Sequence, residues 1–160
     1  MMKYRQLDRI TSLTPGKVLT AERTLRAEEQ YLEDHFPRFP VMPGVMMLEA
    51  LHQAAIWLIR VSEDFKTPLV LLREAKGVKF GDFLAPGETL TITAEILKED
   101  GNRVTVKANA MKGDRVTVTA RLVLEKCHSN DPQRLGTDED VRKQAETQFR
   151  ELFGDVTLSV

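Results

Sequence analysis

Val41-Met42-Pro43-Gly44-Val45-Met46-Met47-Leu48-Glu49-Ala50-Leu51-His52-Gln53-Ala54-Ala55-Ile56-Trp57-Leu58-Ile59 is the stretch that decides the fold. It is nearly long enough to span a bilayer. Yet Glu49, His52 and Gln53 sit in its middle, and Pro43 and Gly44 stand at its start. Charged groups are costly at a bilayer centre, so membrane insertion is not the expectation. A buried helix from about Pro43 to Ile59, ending near Arg60-Val61-Ser62, explains the pattern better. Pro43 suits a first helical turn, where its missing N–H has no intrahelical partner. Apolar residues fall on every face, so this helix should be surrounded by protein.

The sequence downstream supplies the cover. Leu69 to Leu72 and then Ala75 to Phe80 read as one long or broken strand. Leu90, Ile92, Ala94 and Ile96 alternate with Thr89, Thr91, Thr93 and Glu95. Val104, Val106, Ala108 and Ala110 repeat the alternation, as do Val116, Val118, Ala120, Leu122 and Leu124. Period-two patterning marks sheet with one buried face. Asp100-Gly101 and Gly113-Asp114 are hairpin turns between the runs. Upstream, Pro15-Gly16 is a turn with a strand on each side. One buried helix with an antiparallel meander is an α+β domain. The sheet has to wrap around the helix.

Between the first strands and the helix lies Tyr31-Leu32-Glu33-Asp34-His35-Phe36-Pro37-Arg38-Phe39-Pro40. Its prolines exclude regular helix and central strand, so it is a loop of restricted backbone freedom. Residues 129–137, with Pro132 and Gly136, read as a polar linker. Residues 138–153 read as an amphipathic helix with Val141, Ala145, Phe149, Leu152 and Phe153 on one side. The expected organisation is a domain over residues 1–128 and an extension over residues 129–160.

The chain has 160 residues, which fits one domain with a substantial core. It is 42% apolar and 29% charged, which excludes a disordered chain. A net charge of −1 lacks the basic excess of a nucleic-acid binder. The N-terminal residues contain no apolar run of a secretory signal, so a cytoplasmic protein is expected. The single cysteine, Cys127, cannot close an intrachain disulfide and reads as inert.

Two residues stand out chemically. A carboxylate inside an apolar helix is expensive unless paired or protonated, so Glu49 is expected to have a raised pKa and to suit a general acid. His35, held in the proline-rich loop, suits a general base near neutral pH. Such a pair can remove an α-proton and protonate a departing β-hydroxyl. Gly44, at the helix start, offers an outward N–H that would polarise a carbonyl there. The plain alternatives are a hydrogen-bonded structural histidine and a structural carboxylate satisfied within the fold or by a neighbouring subunit. His52, three residues after Glu49, gives only two candidate ligands for a metal, so core or interface is the better reading. Trp57 and Met42, Met46 and Met47 read as core, although methionine also suits a flexible acyl tunnel.

His35-Phe36-Pro37, Pro40-Val41-Met42-Pro43-Gly44-Val45, Glu49-Ala50-Leu51 and Gln53 resemble the signature of the β-hydroxyacyl-acyl carrier protein dehydratases of bacterial fatty acid synthesis. The resemblance is to the branch with Glu rather than Asp. A weaker likeness runs from Asp8-Arg9 to Glu125 and includes Lys79-Phe80 and Pro86-Gly87. It implies a hotdog fold, with the sheet wrapped around a long central helix. It implies a homodimer whose active sites join His35 of one subunit to Glu49 of the other, sometimes as a trimer of dimers. The implied substrate is a (3R)-hydroxyacyl thioester on an acyl carrier protein, leaving as the trans-2-enoyl thioester. The pathway is fatty acid or specialised lipid synthesis. Gly44, Val45, Gln53 and Arg38 fall on the substrate side, and no metal or other cofactor is implied. The chain departs from the pattern in three places. Arg38 replaces a glycine and would meet the acidic carrier or its phosphate. Tyr4-Arg5-Gln6-Leu7 replaces a Pro-His-Arg-Tyr-Pro-Phe element, and Gly81-Asp82 replaces a basic pair. Two other readings remain open: a hotdog acyl-thioesterase, and a non-catalytic acyl-binding subunit.

Overall fold

The computed structural model describes residues 6–26, 44–63 and 69–127, together with residues 143, 144 and 147. Among the described residues are six strands and one long helix: β1 (Arg9–Thr14), β2 (Val18–Thr24), α1 (Gly44–Ser62), β3 (Leu69–Phe80), β4 (Thr89–Asp100), β5 (Arg103–Lys112) and β6 (Arg115–Cys127). The strands form one antiparallel sheet in the order β1-β2-β4-β5-β6-β3. This is the expected α+β hotdog architecture. Hairpins fall where turn chemistry placed them. Gly16, Gly101 and Gly113 take φ of 78°, 62° and 63°, a region that side chains with a Cβ avoid.

The inward faces of the strands close on the helix. Leu90, Ile92 and Ala94 of β4, Val104 to Ala110 at alternate positions of β5, and Val118, Ala120, Leu122 and Leu124 of β6 are buried. Ala94 pairs with Ala108, and Ala108 with Ala120, so a row of small side chains crosses three strands. These alanines share one buried cluster with Ala50, Leu51, Ala54, Ala55 and Leu58 of α1. Small residues on both surfaces let helix and sheet approach closely.

One expectation needs adjustment, the enclosure of α1. The helix itself ends at Ser62, within the expected Arg60–Ser62 end. Ser62 closes it by donating to the Leu58 carbonyl at 2.6 Å and accepting from Gly16 N at 2.7 Å, which docks the helix end on the β1–β2 turn. Within the single chain α1 is not enclosed on all sides. Met46, Leu48, Glu49, His52, Gln53 and Ile56 form a half-buried side. The long or broken strand is one strand, β3, with register shifts at Leu72/Glu74 and at Lys76/Lys79. β3 is the last strand of the sheet and pairs only with β6 among the described residues, and it exposes Leu71 and Leu72.

Candidate functional site

The half-buried side of α1 carries the chemistry. Glu49 and Gln53 are four residues apart and therefore neighbours on one helix face. Gln53 Nε2 donates to Glu49 Oε1 at 3.2 Å, and His52 Nδ1 lies 3.3 Å from Glu49 Oε2. Both carboxylate oxygens are thus held by side chains of the same helix.

The expectation of a raised carboxyl pKa is overturned for the single chain. The His52 hydrogen bond holds Glu49 below its usual value. Partial burial pushes the other way, but the Gln53 hydrogen bond and the His52 charge reinforce the lowering. The physical reason is position. Glu49 faces the open side of the helix and is 41% exposed, so the apolar sequence around it does little to desolvate it. His52 Nε2 is buried without a hydrogen-bond partner among the described residues. A proton on Nδ1 is the one His52 can donate to the carboxylate.

The amide of Gln53 is oriented from its other end. Its Oε1 accepts from Gln6 N at 2.7 Å, so Nε2 is the atom that must face Glu49. Gln6 Oε1 in turn accepts from Arg23 Nε and Nη2, each at 3.3 Å. Arg23 also donates to Thr24 O at 2.7 Å and lies 4.0 Å from Asp8 Oδ1. The sequence reading missed Gln6 and Arg23. The signal for Arg23 was present: it occupies the inward parity of β2, after the buried Leu19 and Ala21.

Gly44 opens α1, about 7.5 Å along the axis from Glu49 at 1.5 Å per residue. Its first-turn N–H groups have no helical acceptor. The missing Cβ has a packing reason as well as the expected one of substrate approach. A Cβ there would lie 3.0 Å from Phe80 Cε1 and 3.3 Å from Cδ1 and Cζ. The ring of Phe80, 54% exposed, therefore lies beside the helix start. Gly44→Ala should be nearly neutral for stability. Alanine favours a helix by up to about 1 kcal/mol over glycine, and an exposed ring pushed off its rotamer costs about the same. If the Gly44 amide holds a substrate carbonyl, as the sequence leads one to expect, activity should fall roughly tenfold, because the displaced ring shifts that position. Thermal melting beside steady-state rates checks both halves.

Val45 follows Gly44 in the first turn of α1. His35 and Arg38 lie outside the described residues, as do the proposed linker and most of the C-terminal extension. Among the described residues, no three His, Cys, Asp or Glu side chains group as a metal site, and no helix is long and apolar enough to cross a membrane.

A family model described as a FabA-like domain matches residues 2–121. A 3-hydroxyacyl-[acyl-carrier-protein] dehydratase FabZ of Levilactobacillus brevis is 38% identical over 116 residues, covering 72% of this chain and 78% of the relative. A FabZ of Clostridium kluyveri is 33% identical over 117 residues, covering 73% and 81%. Among solved structures, the dehydratase heterocomplex ApeI:P of Xenorhabdus doucetiae superposes with a TM-score of 0.67 at 16% identity, over 84% of this chain and 91% of the other. Zebra fish thioesterase superfamily member 2 superposes with a TM-score of 0.58 at 17% identity, over 73% and 78%. The structural likenesses speak for the fold, and the sequence matches for the family: the chain belongs to the FabA-like family, with the 3-hydroxyacyl-acyl carrier protein dehydratases.

Proposed function

We propose that this chain dehydrates (3R)-hydroxyacyl-acyl carrier protein to the trans-2-enoyl thioester, with His35 and Glu49 as its acid–base pair. The observation that carries the reading is Glu49. It is the one carboxylate of a mostly apolar helix, held on both oxygens and placed on the open side of α1. The thioester carbonyl sits at the Gly44 amide, where enolate charge is stabilised as the α-proton leaves. His35 takes that proton, and Glu49 passes one to the departing hydroxyl. Glu49 is held as the anion in the single chain, so it must gain its proton when the site closes. A partner subunit and an acyl chain covering the open face would strip its water and push its pKa up.

Closure comes from a second copy. β3 is an exposed edge with Leu71 and Leu72 uncovered, and such edges invite strand pairing. In this reading two chains pair there, and each site joins His35 of one to Glu49 of the other. A trimer of dimers is the larger assembly. Gly44, Val45 and Gln53 line the acyl thioester, and Arg38 meets the carrier. The enzyme works in the cytoplasm, in fatty acid or specialised lipid synthesis. The dehydratase domain is residues 1–128, and residues 129–160 are an extension.

The test is product identity and its dependence on His35. Wild-type protein given hydroxyacyl-carrier thioester should yield enoyl thioester with no free thiol, and His35→Ala should lose roughly 100-fold or more. Release of free thiol would instead make the chain a thioesterase. Equal rates in the two proteins would remove His35 from the mechanism.

A further inference from the structure

Arg23 is out of place. It stands at an inward position of β2 and is 3% exposed, beside Gln6 at 2%. Burying a guanidinium is expensive unless its donors are satisfied. An apolar residue there would continue the run of Leu19 and Ala21 without that cost. The donors of Arg23 lead toward Glu49 in a continuous chain. Arg23 Nε and Nη2 hold Gln6 Oε1, Gln6 N holds Gln53 Oε1, and Gln53 Nε2 holds Glu49 Oε1.

We propose that Arg23, acting through Gln6, is a positioning residue for Glu49. It pins the chain at Gln6 so that one backbone N–H fixes the Gln53 amide, and the fixed amide can offer Glu49 only a donor. Were Gln6 released, the Gln53 amide could turn and present its oxygen, repelling the carboxylate. The brace therefore sets both the rotamer and the proton affinity of Glu49. Among the described residues, His52 is the titratable group that faces this carboxylate, and it reaches the other oxygen. That bond does not depend on Arg23, so the two influences separate. The proposal rests on the reading of Glu49 as catalytic only for its kinetic consequence.

The experiment uses the full chain with 13C-labelled glutamate. The Glu49 carboxyl is identified by its loss in Glu49→Gln and titrated by NMR in wild type and in Arg23→Met. The methionine fills the space but cannot hold Gln6. The expected result is an upward move of the Glu49 titration in Arg23→Met. With it, kcat should fall by about tenfold while KM stays within about twofold, since geometry rather than binding is lost. Arg23→Lys, which keeps the charge without the planar fork, should move the titration less. It carries the comparison if Arg23→Met does not fold. An unchanged Glu49 titration in the folded variants would overturn the proposal and leave Arg23 a purely structural residue. If the titration moves but Glu49→Gln dehydrates at the wild-type rate, the brace stands and the catalytic reading of Glu49 fails.

Discussion

Glu49→Gln should lower the dehydration rate by roughly 10²- to 10⁴-fold, the usual contribution of a positioned acid or base. The substitution is nearly isosteric. A glutamine at this position still offers an oxygen to His52 Nδ1 or Gln53 Nε2, so the local frame persists, but it cannot deliver a proton. Stability should change little. The carboxylate is 41% exposed, and ion pairs open to water contribute about 1 kcal/mol at most. The sign of the small change follows from the depressed folded-state pKa. A group of this kind adds stability above its unfolded pKa and loses it as pH falls through the lower folded value. Glu49→Gln should therefore melt slightly below wild type at neutral pH. The gap should close in acid, below the ordinary carboxylate range. Dehydration measured beside melting curves at neutral and acid pH checks both parts. A wild-type rate in Glu49→Gln would sink the assignment.

The double substitution Leu71→Asp/Leu72→Asp should leave a folded but inactive monomer. Both side chains are exposed on the edge strand, so the single chain loses little packing when they change. Neighbouring residues point to opposite sides of a strand, so the pair charges both sides of the edge. Like charges brought together across a two-fold interface repel, because each meets its own copy. If the sites are shared, activity should fall by at least about 100-fold, as each lacks one member of its acid–base pair. Sedimentation with circular dichroism gives the assembly and the fold, and the rate gives the rest. An active monomer would refute the shared site.

Much of this arrangement was legible in the sequence, for reasons that are local. The alternation in β4, β5 and β6 fixed three strands, because one buried face demands period two. The helix was legible from apolar residues on every face, and Glu49 from being the one carboxylate among them. The ionisation of Glu49 was not legible. It depends on how much of α1 the sheet leaves open, which no window of sequence reports. Residues brought together from distant segments were equally hidden. Gln6 meets Gln53 across 47 positions, and Phe80 meets Gly44 only once β3 is laid along the helix start. Arg23 was visible as a charge at inward parity, yet only the fold shows which acceptor it serves.

The alanine row across β4, β5 and β6 has a consequence for how such an enzyme can change over time. Ala94, Ala108 and Ala120 are buried in one cluster with residues of α1 and carry no polar side chain. Their small size sets the height of α1 above the sheet, and with it the place of Glu49. A lineage that enlarged one of them would lift its helix and redraw its acyl site without touching a single polar residue. Drift toward new substrates in this fold can therefore begin in the floor beneath the helix, among the most ordinary residues of the chain.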